Sequence, residues 1–232
     1  MCGIAGFVDF SSKTSPSVIT KMTDEIIYRG PDSSGKFISK DNLCGLGVRR
    51  LRIIDLTTGD QPIKNEDGSV VVVYNGEIYN YKLLREELEK KGHKFITQTD
   101  TEVLVHGYEE YGEDIVPKLN GMFAFAIWDE KQKVLFLGRD RAGIKPLFYY
   151  ATKNLLVFGS EPKAILKHPR YKKKINPDAL SIYGYLGFLP GNLSMFSGVK
   201  KLLPGYTLIF NKSGLSISKY FGLESINSPK SE

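Results

Sequence analysis

A cysteine directly after the initiator methionine is a chemically specific arrangement. Removal of Met1, which a small second residue permits, leaves Cys2 carrying a thiol and a free α-amine together. That amine has an ordinary pKa of about 7.7–8.0, against about 10.4 for a lysine ammonium. Near neutral pH it can serve as base for its own side chain, and the thiolate is then the nucleophile. Taken alone, the Met1-Cys2 pair fits a small residue packed in a terminal strand better than it fits a nucleophile. Other reactive groups are sparse. There are 2 cysteines and 3 histidines, with no CxxC pair, and His93, His106 and His168 stand far apart in sequence. A disulfide scaffold or a zinc site needs clustered ligands, so no metal is expected and Cys44 is expected in a core.

The elements that must position such groups come from a chain of 232 residues, 41% hydrophobic, 25% charged and 12% aromatic. That length buries about 70–75% of the unfolded surface without staples, and the aromatic content leans toward sheet. The net charge of +6 raises nucleic acid as a partner. Its densest run, Arg170–Lys174, is one short cluster without interleaved aromatics, so a solvated loop is expected and nucleic acid is not. No apolar run reaches membrane-spanning length, and residues 1–7 lack the basic start of a signal peptide. A cytoplasmic protein with reduced thiols is expected, with no membrane partner.

Residues 3–9 predict a buried strand, and Pro16–Tyr28 a helix capped by Ser15 with Val18, Ile19, Met22 and Ile26 inward. Residues 43–54 look extended. Val70–Tyr74 is β-branched and apolar on both faces, a strong strand, and Asn75-Gly76 reads as the turn that ends it. Tyr81–Lys91 predicts a helix with Asn80 at its cap, Leu83, Leu84 and Leu88 inward, and Glu86/Lys90 and Glu87/Lys91 pairs. A second helix is expected from Thr101 to Tyr111, with Asp100 available as cap. Strands follow at Met122–Trp128, Val134–Gly138, Pro146–Tyr150 and Leu155–Phe158. Helices near Glu161–Lys167 and Pro177–Leu186 come next, then strands at Tyr206–Asn211 and Leu215–Tyr220. Helices mix with antiparallel hairpins without βαβ regularity, which predicts an α+β class with two stacked sheets. Residues 222–232 read as a polar tail or the start of a linker.

Eight segments recur in a fixed order: MCGIAGF at 1–7, RGPD at 29–32, LGVRRLRIIDL at 46–56, GDQP at 59–62, YNGEIYNY at 74–81, TDTEVL at 99–104, LNGMFAFAIWD at 119–129 and GRDRAGIKPLFYY at 138–150. Together they resemble the glutaminase domain of class II glutamine amidotransferases, which are N-terminal nucleophile hydrolases. Within that group they are most similar to the asparagine synthetase branch. The resemblance runs from residue 1 to about 221. It departs at Tyr28 and Val48, where histidines are common. It implies a four-layer αββα sandwich of two antiparallel sheets. It also implies Cys2 as nucleophile, with the Asn75 side chain and the Gly76 N–H as oxyanion hole. Arg50 would hold the substrate carboxylate, Arg49 beside it being the other choice. Asp100 and Glu77 would take the ammonium end, while Leu51, Ile53 and Ile54 would line the pocket.

These residue types suit the task. Amide hydrolysis builds negative charge on oxygen and needs two donors aimed there. An amino-acid substrate needs one fixed cation and one anion, and an arginine offers a bidentate fork. The reaction implied is glutamine plus water giving glutamate and ammonia, without metal or cofactor. In the resembled branch a second domain activates aspartate with ATP and Mg²⁺. No phosphate-binding Gly-rich loop is found here, so the expected partners are L-glutamine and an ammonia-accepting synthetase domain or subunit, with a homodimer possible. The alternatives are the glutaminase half of another class II amidotransferase, or a non-catalytic module that binds glutamine or a partner.

Overall fold

Alternation along each strand decides where the layers lie. The computed structural model describes residues 2–52 and 58–222. Its first strand, β1 (Gly3–Asp9), is buried throughout, yet its side chains part company. Ile4 and Val8 face one cluster while Ala5 and Phe7 face another, as a period of two requires. The strands β2 (Ser33–Ile38), β3 (Cys44–Arg50), β8 (Phe148–Ala151), β9 (Leu155–Gly159) and β10 (Val199–Lys201) join it in one sheet of order β10-β8-β9-β1-β3-β2. The second sheet, β12-β11-β7-β6-β5-β4, uses β4 (Ile63–Lys64), β5 (Val70–Ile78), β6 (Gly121–Asp129), β7 (Val134–Arg139), β11 (Tyr206–Asn211) and β12 (Gly214–Lys219). The pairings in both sheets are antiparallel.

Between the sheets pack Val71, Val73, Ala124, Ala126 and Trp128 from the second sheet against Ile4, Leu46 and Phe158 from the first. On the outer face of the first sheet lie α1 (Val18–Asp24) and α5 (Pro162–Leu166), through Ile19, Met22 and Ile165. On the outer face of the second lie α2 (Tyr81–Lys90), α3 (Glu102–Tyr111) and α4 (Ile115–Lys118), through Leu84, Leu88, Val103 and Ile115 against Val72, Phe123 and Phe125. The result is the expected αββα sandwich. Trp128 is its largest fully buried side chain, and its indole N–H donates to Glu130 at 2.5 Å. Trp128→Ala is expected to cost about 3–5 kcal/mol, read as a lowered urea midpoint with an unchanged slope.

Several local expectations are corrected. The first helix is only Val18–Asp24, followed by a 3₁₀ turn at Ile27–Arg29, because the chain must bend there to bring Arg29 under Cys2. Leu83 is 70% exposed; the inward face of α2 is Leu84 and Leu88. Within that helix the i,i+4 pair is Arg85–Glu89, while Glu87 accepts from Tyr111 and Lys91 just past its end pairs with Glu110, so a shifted pair and tertiary partners replace the expected ladder. The Arg170–Lys174 run is not wholly solvated, since Arg170 pairs with buried Asp9 and Tyr171 is buried. Cys44 and Val48 are core residues, and Tyr28 is exposed with the Lys163 ammonium 3.9 Å from its ring centre. The helix α6 (Pro177–Leu186) starts at an Asn176 cap that accepts from Asp178 and Ala179 N–H, and stops at Gly187 with φ 73°.

Candidate active site

The two sheets meet at a cleft where the N-terminal end of β1 lies opposite the far end of β5. Cys2 precedes β1, which sits centrally between β3 and β9. Gly3 pairs with Arg49, so Cys2 falls beside Arg50 and Leu51. The Cys2 thiol is half-buried. Its Sγ accepts from the Leu51 N–H at 3.4 Å and lies 3.6 Å from the Leu51 carbonyl. Arg29 of the RGPD segment fixes the residue from behind: its Nε donates to the Cys2 carbonyl at 3.1 Å and its Nη1 to Glu161 at 2.9 Å. Gly30 must be glycine, since a Cβ there would sit 2.4 Å from the Arg49 carbonyl oxygen.

Asn75 and Gly76 do not form a turn. β5 continues through both, with Asn75 paired to Ala124 and Gly76 to Phe123. Neighbouring β6 overrides the turn propensity of the dipeptide. A Cβ at Gly76 would lie 2.3 Å from the Met122 carbonyl oxygen, so the position is closed to side chains. β4 covers β5 only at Val71 and Val72, leaving the outer edge of the strand open beyond them. Side chains take the place of the missing neighbour, as buried peptide groups demand. Gln61 accepts from the Tyr74 N–H at 2.7 Å, and Asp100 accepts from the Ile78 N–H at 2.8 Å. The Gly76 N–H falls between these two on the same edge, because alternate peptide groups point the same way. On the other side, Asp140 takes up both backbone groups of Phe123, through its N–H at 2.8 Å and its Oδ2 at 3.2 Å.

Asp100 is not a helix cap. Thr101 holds the N-cap position of α3, and the Asp100 carboxylate instead accepts from Ile78 N–H, Tyr74 Oη at 3.0 Å and Thr99 Oγ1 at 3.2 Å. Burial pushes its pKa above the usual carboxylate range, although those donors pull the other way. The arginine pair is split by strand alternation. Arg49 turns to α1, bonding Asp24 and the Thr23 carbonyl. Arg50 turns into the cleft, 4% exposed, with Nη1 on Asp60 at 2.7 Å. Asn75 is buried and its side-chain Nδ2 has no hydrogen-bond partner among the described residues.

Cys2, Arg50, Leu51, Asn75, Gly76, Glu77 and Asp100 thus line one cleft of about 480 Å³, counted out to its open mouth. Ile53 and Ile54 lie outside the described residues. The set offers a thiol, an unspent amide donor, a buried cation and a buried carboxylate. A family model for the glutamine amidotransferase domain matches residues 1–221.

The chain belongs to that family.

Its relatives include asparagine synthetase [glutamine-hydrolyzing] 3 of Bacillus subtilis, 42% identical over 97% of this chain and 37% of that one. A putative asparagine synthetase [glutamine-hydrolyzing] 2 of Methanocaldococcus jannaschii is 40% identical over 95% of this chain and 46% of that one. The chain therefore spans less than half the length of these relatives. Among solved structures, the glutamine phosphoribosylpyrophosphate amidotransferase of B. subtilis superposes with a TM-score of 0.66 at 20% identity, over 95% of this chain and 49% of that one. That likeness is one of fold.

The amidotransferase cleft also holds residues to which sequence reasoning gave no role: Gln61, Tyr74, Thr99, Thr101 and Lys145. All five lie inside the segments that carry the family resemblance, which was the signal available. What the sequence hides is that side chains finish a strand edge. The GRDRAGIKP segment is a rigid wall, since Asp140 accepts from Ala142, Ile144 and Lys145 N–H. Arg139 donates to the Gly143, Lys145 and Leu202 carbonyls. Among the described residues no helix is long and apolar enough to cross a membrane.

Proposed function

We propose that this domain hydrolyses the side-chain amide of glutamine with Cys2 as nucleophile, and that the ammonia serves asparagine synthesis in the longer protein its relatives represent. The buried Nδ2 of Asn75, without a partner among the described residues and in the cleft of Cys2, carries the reading. A buried donor left unmade costs about 1–3 kcal/mol, and an arriving oxyanion would satisfy it. The α-amine of processed Cys2 takes the thiol proton as sulfur attacks the amide carbon. Oxyanion charge falls on Asn75 Nδ2 and the Gly76 N–H. The ammonium then protonates the amide nitrogen, which leaves as ammonia, and a γ-glutamyl thioester remains that water cleaves with the amine again as base. These steps use no cofactor; ATP and Mg²⁺ belong to the synthetase part that the relatives' greater length implies. Arg50 receives the substrate carboxylate, with Asp60 holding its other side, and Asp100 and Glu77 receive the ammonium. Arg50 rather than Arg49 is supported by its turning into the cleft. The exposed Leu180, Tyr183, Leu186 and Phe188 on and after α6 offer apolar area for a domain that receives the ammonia.

Asp100→Asn should raise KM for glutamine roughly tenfold to a hundredfold, the loss of a charge-assisted bond of about 1.5–3 kcal/mol, with kcat changed far less. Both the Cys2 amine and Asp100 must be deprotonated. In the wild type, kcat/KM should therefore fall with unit slope below the amine pKa and with a slope of two below that of Asp100. Because burial raises Asp100, the steeper limb begins above the ordinary carboxylate range. Asp100→Asn should lose the break that Asp100 sets; a break surviving at the wild-type position in that variant rejects the assignment.

A further inference from the structure

On the outer side of the second sheet four potential metal ligands converge: Glu66, His93, His106 and Glu109. Glu66 lies in the link between β4 and β5, His93 follows α2, and His106 and Glu109 stand three residues apart on α3, so share one face. The histidines that looked scattered in the sequence have ring centres 5.1 Å apart. His106 is 1% exposed, and neither of its ring nitrogens makes a hydrogen bond of ordinary geometry among the described residues. Yet carboxylate oxygens surround it: Glu66 and Glu109 lie 3.3 and 3.6 Å from Nδ1. His93 presents its own Nδ1 to the same two carboxylates at 3.6 and 3.9 Å.

The shorter of these separations suit a tetrahedral ion. With bonds of about 2.0–2.1 Å, ligand atoms stand roughly 3.3–3.4 Å apart, and all four here lie within 4.8 Å of one another. The outward nitrogens are backed as well. Glu102 lies 3.5 Å from His106 Nε2, and Glu110 lies 3.7 Å from His93 Nε2, the carboxylate–histidine arrangement that fixes tautomer and ring in metal centres. The ligand carboxylates are also held in place, Glu66 by the Lys94 N–H at 2.9 Å and Glu109 by Asn65 at 2.6 Å.

We propose that Glu66, His93, His106 and Glu109 bind a divalent cation of the zinc class, clamping α3 and the end of α2 to the β4–β5 link. Two imidazoles with two carboxylates suit zinc-type ions better than calcium or magnesium, and four protein ligands make the site structural. The sequence conceals it because the ligands come from three segments spanning residues 66–109.

The test uses metal-depleted protein carrying Cys2→Ala, so that the half-buried thiol does not compete for the ion. Calorimetric titration with Zn²⁺ should show one equivalent bound and a raised Tm, and Co²⁺ should give visible bands of tetrahedral intensity. His93→Gln and Glu109→Gln alter partly exposed side chains and should each weaken Zn²⁺ binding at least tenfold while keeping the parent circular dichroism. Sub-stoichiometric binding by the parent, or undiminished affinity in either folded variant, overturns the proposal.

Discussion

Cys2→Ala should release no measurable ammonia from glutamine, a loss of at least about 10⁴-fold given what removal of a nucleophile costs elsewhere. It should leave the fold intact. Three observations fix the position of the sulfur. Arg29 and Glu161 hold the backbone of Cys2 from one side, β3 places the Leu51 peptide against the sulfur, and β1 is central in its sheet. Loss of the half-buried sulfur removes only the long Leu51 N–H contact and leaves the Arg29 and β1 supports in place, so urea and thermal midpoints should move little. Glutamine should still bind, because the carboxylate and ammonium partners do not involve sulfur. Ammonia release near the wild-type rate would require a different nucleophile.

Asn75→Ala tests the second half of the site. One oxyanion donor is lost, so kcat should fall about 10²–10³-fold, with a barrier rise near 3–4 kcal/mol. KM should change little, since the donor is used only as charge develops. Stability separates this from a structural effect. The Nδ2 of Asn75 makes no hydrogen bond among the described residues, so its removal breaks none, and the main chain stays paired with Ala124. Asn75→Asp should be worse still, because it sets an anion against the oxyanion. A drop in kcat accompanied by an equal collapse of stability would assign Asn75 to the fold instead.

Much of the architecture was legible because apolar alternation is a local signal. Val70–Tyr74, the Gly121–Asp129 run and the helix at Pro177–Leu186 could be placed from their own residues. What escaped depended on neighbours. Asn75-Gly76 carries turn chemistry, and only β6 alongside it keeps the dipeptide extended. Asp100 stands where a helix cap would stand, but the open edge of β5 claims it. Short edge strands such as Val199–Lys201 have too few residues to alternate visibly. At the site, the residue types pointed to thiol chemistry, and the eight-segment resemblance supplied the roles. Arg50 was separated from Arg49 only by the faces of β3. The His93–His106 pairing needed the third dimension altogether.

The most direct test of Cys2 is mass spectrometry of the N-terminal peptide from protein acid-quenched while turning over glutamine. The account predicts a peptide that begins at Cys2, without Met1, and carries a γ-glutamyl group on that residue. A fully active protein that retains Met1, or one whose glutamyl group sits on another residue, would contradict it.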